Sequence, residues 1–163
     1  MSLKIGEIAP DFEADSTEGH FRFRQWNVGY WTVLVTFARD LDRARLTEFG
    51  QLSRLKKQWD AAKVQILGVG TPSIRHPANW AKGTERSLAL QLNFPLIADQ
   101  SGDVGRLYEF DAAGATAIVL DPRGVVRFVR RDPVEGVRDF EDLLHVVRVL
   151  QFTDAYAGAV WAA

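Results

Sequence analysis

The sequence predicts an α/β fold built on a central mixed sheet. Three observations carry this. Apolar β-branched runs alternate with amphipathic stretches, the first three runs are separated by segments long enough for crossover helices, and a tight turn joins the last two runs as an antiparallel pair. At 163 residues the chain fits a single domain over 1–163, with one core.

Ile5 to Phe12 holds Pro10 before Asp11 and reads as an extended lead-in. His20 to Trp26 alternates and reads as a short strand or hairpin arm. Trp31-Thr32-Val33-Leu34-Val35-Thr36-Phe37 is β-branched and aromatic, the signature of a buried central strand. Asp42 is positioned to cap the next helix, in which Leu46, Phe49, Leu52, Leu55 and Trp59 keep helical spacing as far as Lys63. Val64 to Val69 reads as the second strand, and Trp80 to Leu92 as a helix entered through a loop containing Pro72 and Pro77. Phe94 to Ala98 is a short strand and Asp103 to Phe110 a short helix. Ala117-Ile118-Val119-Leu120 and Val125 to Val129 flank the turn Asp121-Pro122-Arg123-Gly124. A closing helix from about Val137 to Leu150 places Phe140, Leu143, Leu144, Val147 and Leu150 on one face.

Composition narrows the function classes. A net charge of −1 gives no footprint for nucleic acid, and no apolar run reaches the roughly 18 residues of a membrane span. Met1-Ser2-Leu3-Lys4 does not open like a signal peptide, so a cytoplasmic location is expected. With no cysteine, disulfides, thiolate metal sites, iron–sulfur ligation and all thiol mechanisms are excluded. His20, His76 and His145 are scattered without ligand spacing, so no metal site is expected, and no other cofactor either. Gly68-Val69-Gly70-Thr71-Pro72 follows a strand, yet it lacks the third glycine and the downstream acid of a dinucleotide site.

Several stretches resemble the peroxiredoxins, the thiol peroxidases of the alkyl hydroperoxide reductase and thiol-specific antioxidant (AhpC/TSA) family. Gly6 to Ala14 is similar to the family's N-terminal signature and Gly29 to Phe37 to its central strand. Trp80, Phe94 to Asp99 and Ile118 to Pro122 continue the likeness in order, over about 4–153, leaving an apolar tail at 154–163. The resemblance implies a thioredoxin-like, three-layer fold of peroxiredoxin type, and a homodimer. It also implies an oxidoreductase, antioxidant label that rests on fold analogy alone.

The family's catalytic pattern sets a proline, then threonine or serine four residues on, then the peroxidatic cysteine three further. Those places fall on Ala38, Asp42 and Arg45, between a matching Asp40 and matching Thr47 and Glu48. A second family arginine falls on Ala115, counting without gaps from Asp121-Pro122. All four expected groups are replaced. Peroxide reduction in this family needs a thiolate whose pKa is lowered by a helix N-terminus and an arginine. A guanidinium has no lone pair with which to attack an O–O bond. The chain therefore reads as a pseudoenzyme: a peroxiredoxin-like protein that has lost thiol peroxidase chemistry, with no catalytic residue and a structural, regulatory or ligand-binding role.

A cation in a helix's first turn is unfavourable by about 0.3–1 kcal/mol unless paired. Asp42 and Glu48 stand three residues either side of Arg45, so one of them is expected to hold it in the former thiol pocket. Arg39, Arg43, Arg45 and Glu48 also form a candidate anion or ligand pocket, against which stands a self-satisfied salt-bridge network. Two further readings remain open. One is an enzyme with a repurposed pocket around Arg45, marked by a perturbed Glu48 in a cleft. The other is a partner-binding module using the apolar tail around Trp161.

Overall fold

The computed structural model describes residues 3–37, 43–71, 93–110, 115–133 and 135–162, with side chains as far as Gly158. The elements in order are β1 (Glu13–Ser16), β2 (Gly19–Arg22), α1 (Phe23–Asn27), β3 (Trp31–Phe37), α2 (Arg43–Arg54) and α3 (Lys56–Ala61). They continue as β4 (Val64–Gly70), β5 (Leu96–Ala98), α4 (Asp103–Tyr108), β6 (Ala115–Leu120), β7 (Val126–Asp132) and α5 (Phe140–Ala162). Among the described residues seven strands form one sheet in the order β2-β1-β5-β4-β3-β6-β7. β3, β4 and β5 are mutually parallel, β6 and β1 flank them antiparallel, and β7 and β2 are in turn antiparallel to β6 and β1. This is the mixed sheet that the order of apolar runs predicts.

β3 is buried along its whole length because both of its faces are covered. Val33, Val35 and Phe37 point to the face that packs Phe49 and Leu52 of α2, Trp59 of α3 and Phe140, Leu143, Leu144 and Val147 of α5. Leu34, one residue out of phase, points to the other face, with Phe23 of α1 and Val104 and Tyr108 of α4. The result is three layers, a thioredoxin-like arrangement. Phe37 stacks on Phe49 at 4.5 Å between ring centroids, and Phe12 on Phe23 at 4.9 Å. Each such side chain contributes about 1.5–3 kcal/mol through burial.

Gly68 marks a close approach between side chains of neighbouring strands: a Cβ there would stand 2.3 Å from Leu96 Cδ2 and 3.2 Å from the Phe37 ring. Its place in β4 is therefore a packing requirement, not half of a nucleotide loop. The β6–β7 turn at Asp121 to Gly124 closes with the Gly124 N–H donating to the Asp121 carbonyl at 2.9 Å, Gly124 having φ +80°.

Three expectations are corrected. The arm from His20 to Trp26 leaves the sheet after Arg22, and Phe23–Asn27 forms α1, because Phe23 must turn into the core rather than alternate. The helix expected to run without a break to Lys63 divides at Leu55 into α2 and α3, and Lys63 ends the segment at φ +56°. The closing helix does not stop near Leu150; it extends as α5 through Ala162 and takes the apolar tail into a helix. The helix expected over Trp80 to Leu92 and the cap expected from Asp42 lie outside the described residues.

Candidate functional site

β3 ends at Phe37 and α2 begins at Arg43, so the first turns of α2 lie at the C-terminal end of the parallel strands. In open α/β sheets this end is where ligands usually sit. The buried stripe of α2 begins here with two charged side chains. Arg45 is 1% exposed and Glu48 0%, and Phe49 and Leu52 continue the stripe. Leu46, an expected core position, is only half-buried. The reason is phase: a helix face that takes 45, 48, 49 and 52 inward turns 46 toward the boundary.

Arg45 Nε lies 2.7 Å from Glu48 Oε1, an i, i+3 ion-pair contact. Arg45 Nη2 donates to the carbonyl of Gly136. A second guanidinium enters from the segment ahead of α5. Arg138, 3% exposed, donates from Nε to Glu48 Oε2 at 2.7 Å and from Nη2 to Glu48 Oε1 at 3.1 Å. Its backbone N–H also donates to Glu48 Oε2, at 2.9 Å. The Arg138 guanidinium stacks 5.1 Å from the Phe37 ring centroid and 5.3 Å from that of Phe140, and its Nη1 reaches the Thr116 carbonyl at 3.4 Å. Gln51 extends the seam one turn on, donating from Nε2 to the Arg138 carbonyl at 2.9 Å and accepting from the Phe140 N–H at 3.1 Å.

Glu48 has thus spent its acceptor capacity. Both of its oxygens accept from Arg138, through three donors, and the Arg45 guanidinium lies against Oε1 at ion-pair distance. A carboxylate held by two buried guanidinium groups serves as their counter-ion. Neither guanidinium supplies a nucleophile. The cluster can hold two chain segments together; it has no group with which to attack an O–O bond.

The other expected positions scatter around this cluster. Ala115 is buried on β6, on the sheet face it shares with Ala117 and Val119, and contributes only a methyl group. Arg43 is exposed at the start of α2, while Arg45 turns inward, so these two do not converge on one anion pocket. Ala38, Arg39 and Asp42 lie outside the described residues. His20 sits on the exposed β1–β2 hairpin with Nδ1 2.7 Å from Asp15 Oδ1, His145 is exposed on α5, and no metal-holding group of His, Asp or Glu occurs among the described residues.

Sequence reasoning missed Arg138, Thr116 and Gln51. Arg138 pairs with Glu48 across ninety residues of chain, a separation that leaves no local spacing to read. The one available signal was a carboxylate on the inward stripe of a helix, which demands more than a single cation, with an arginine directly ahead of the apolar stripe of α5.

The comparisons agree with this architecture. The chain matches the AhpC/TSA family over residues 5–129. It is 27% identical over 161 residues to the 1-Cys peroxiredoxin of Dictyostelium discoideum, covering 94% of this chain and 67% of that one. It is 28% identical over 153 residues to peroxiredoxin 2 of Thermoplasma acidophilum, covering 91% and 76%. Among solved structures, a yeast mitochondrial 1-Cys peroxiredoxin superposes with a TM-score of 0.84 at 25% identity, covering 94% of this chain and 78% of the other. The AhpC of Enterococcus faecalis shares the fold with a TM-score of 0.81 at 20% identity, covering 96% and 97%. A thioredoxin-like sheet with its helices in place, matched over more than half its length, makes this chain a member of the AhpC/TSA family, one that carries no cysteine.

Proposed function

We propose that the protein is a non-catalytic member of the peroxiredoxins, in which an arginine–glutamate–arginine cluster has replaced the thiol site and serves as a structural clasp. The observation that carries this reading is the saturation of Glu48 by Arg45 and Arg138 in a chain without sulfur nucleophiles. The clasp fastens α2 to the segment from Gly136 to Phe140, so the place where a substrate would enter is occupied by the protein's own side chains. Peroxide consumption by the metal-free protein with dithiothreitol as reductant tests it. The rate is expected to equal that of reductant alone, and turnover above that background would overturn the reading.

Association is the surviving role that has its own support. Val149, Phe152 and Tyr156 are half or more exposed and fall on one side of α5 at i, i+3, i+7 spacing. We assign this stripe to a homodimer, the assembly expected from the resemblance. Sedimentation measures it: the native chain is expected to run as a dimer and Phe152→Glu as a monomer, and a monomeric native chain would contradict the assignment.

A further inference from the structure

Along β4 the main-chain groups alternate between two neighbours. The Trp31 N–H donates to the Lys63 carbonyl at 3.1 Å and the Thr71 N–H to that of Phe37 at 3.0 Å, which gives the odd-numbered residues to β3. The Gly68 N–H donates to the Pro95 carbonyl at 3.0 Å and the Asp99 N–H to that of Gly70 at 2.8 Å, which gives the even-numbered residues to the β5 side. β5 begins to pair only at Gly68. Val64 and Ile66 therefore each hold an N–H and a C=O toward a side with no strand, and these groups have no hydrogen-bond partner among the described residues. Buried backbone groups are paired as a rule, and an unpaired strand edge is a template for another strand.

This gap in the sheet is a cleft of about 380 Å³. Val64 and Ile66 turn their side chains to the α3 face, where they pack with Trp59 and Phe94, so the main-chain edge is what they present to the cleft they line. The opposite wall belongs to Trp26, half-buried beside Phe23 on the face to which Leu67, and hence Gln65, points. Toward the C-terminal end of β4 the gap is closed by the β1–β2 turn: the Thr17 N–H donates to the Leu96 carbonyl at 3.0 Å, level with Gly68, and the chain runs antiparallel to β5, so Glu18 falls level with Leu67. At the other end stands Lys63. Both charges are exposed, line the cleft and have no ion-pair partner among the described residues. Four residues of strand separate their levels, roughly 13 Å.

We propose that this gap binds a free tetrapeptide in extended form, as an added strand antiparallel to β4. Its second residue pairs with Ile66 and its fourth with Val64, each pair exchanging N–H···O=C bonds in both directions. The α-ammonium then falls at Glu18 and the carboxylate at Lys63, and four extended residues match the separation of these charges; the reversed peptide would set like charges together. Directly opposed residues share a face, so positions 2 and 4 meet the filled Trp59 side and must be small, while 1 and 3 meet Trp26 and are larger. No residue of the Arg45 clasp takes part, so the site stands or falls separately from the reading above.

The test is a titration of the full nitrogen-15-labelled chain with Val-Ala-Val-Ala. The amide signals of Val64 and Ile66 are expected to move saturably, and the Ile66 amide to gain protection from hydrogen exchange, while Val129, on β7 beyond β3 and β6, stays in place. Three altered peptides need no variant of the protein. Methylating the amide nitrogen of the second residue removes the N–H donated to the Ile66 carbonyl and should weaken binding about tenfold. Acetylating the N-terminus or amidating the C-terminus should each weaken it about two- to fivefold, the effect of one exposed ion pair. No saturable movement at Val64 and Ile66, equal movement at Val129, or equal affinity for the methylated peptide or for both capped ones would each overturn the proposal.

Discussion

The two ends of the β3–β4 pair treat buried polarity in opposite ways. At the C-terminal end, Glu48 meets Arg45 and Arg138 so completely that both of its oxygens are engaged. At the N-terminal end, Trp59 Nε1, Gln65 Oε1 and Asn93 Oδ1 are drawn out of water with no hydrogen-bond partner among the described residues. One end is a closed fastening and the other holds single polar atoms sealed unmet in the packing. The lesson is that occupancy of a fold's customary site by charged side chains does not make it reactive; chemistry needs polar groups with capacity to spare.

The largest break in this comparison comes from Glu48→Ala. It strands two buried guanidinium groups beside each other, and breaking a buried ion pair in this way typically costs about 3–5 kcal/mol. Urea unfolding should show it as a lowered midpoint with an unchanged slope. Arg45→Met sharpens the contrast, because Glu48 keeps Arg138 and no charge is left alone. Its cost should stay below about 2 kcal/mol, since the larger penalty of a broken buried pair comes from an uncompensated charge and none is left here. If both variants lost equal stability, the clasp would not depend on the shared carboxylate.

A smaller effect is expected at the partly exposed pair of Arg127 and Asp154, joined by two hydrogen bonds of 2.7 Å. The hydrogen bond from Arg127 holds the Asp154 carboxyl below its ordinary range. Nearby, burial alone would raise Asp121, but hydrogen bonds from the Arg123 side chain and from the backbone of Arg123 and Val125 outweigh it and hold it low. A carboxyl depressed in the folded state stabilises above its unfolded pKa, about 3.9, and that contribution is lost as pH falls through the lower folded value. Asp154→Asn should therefore cost about 0.2–1 kcal/mol at pH 7, and the difference from the native chain should shrink as the solution is acidified below pH 4. A difference that grew in acid would reverse the sign of this linkage.

Much of the architecture was readable from local pattern. The central strand, the β6–β7 turn and the stripe from Phe140 to Val147 follow from periodicity and turn chemistry, and helical spacing offered Arg45 two carboxylates, Asp42 and Glu48, of which Glu48 lies against it. What escaped depended on distant chain. Phe23 looked like a strand residue until the core on its side of the sheet gave it a reason to turn inward. Arg138 was silent because its partner lies ninety positions away. The cleft at Trp59 had no motif at all, since it exists only where α3, β4 and the approach to β5 converge.

The most direct measurement compares two variants for peroxide turnover after confirming that each unfolds cooperatively. Arg45→Cys alone is expected to stay at background, because Ala38, Asp42 and Ala115 still lack the groups that orient peroxide and support a thiolate. Arg45→Cys together with Ala38→Pro, Asp42→Thr and Ala115→Arg should gain measurable turnover. If the single substitution matched the combined one, the site would have needed only its sulfur, and the account of a pocket rebuilt as a clasp would be wrong.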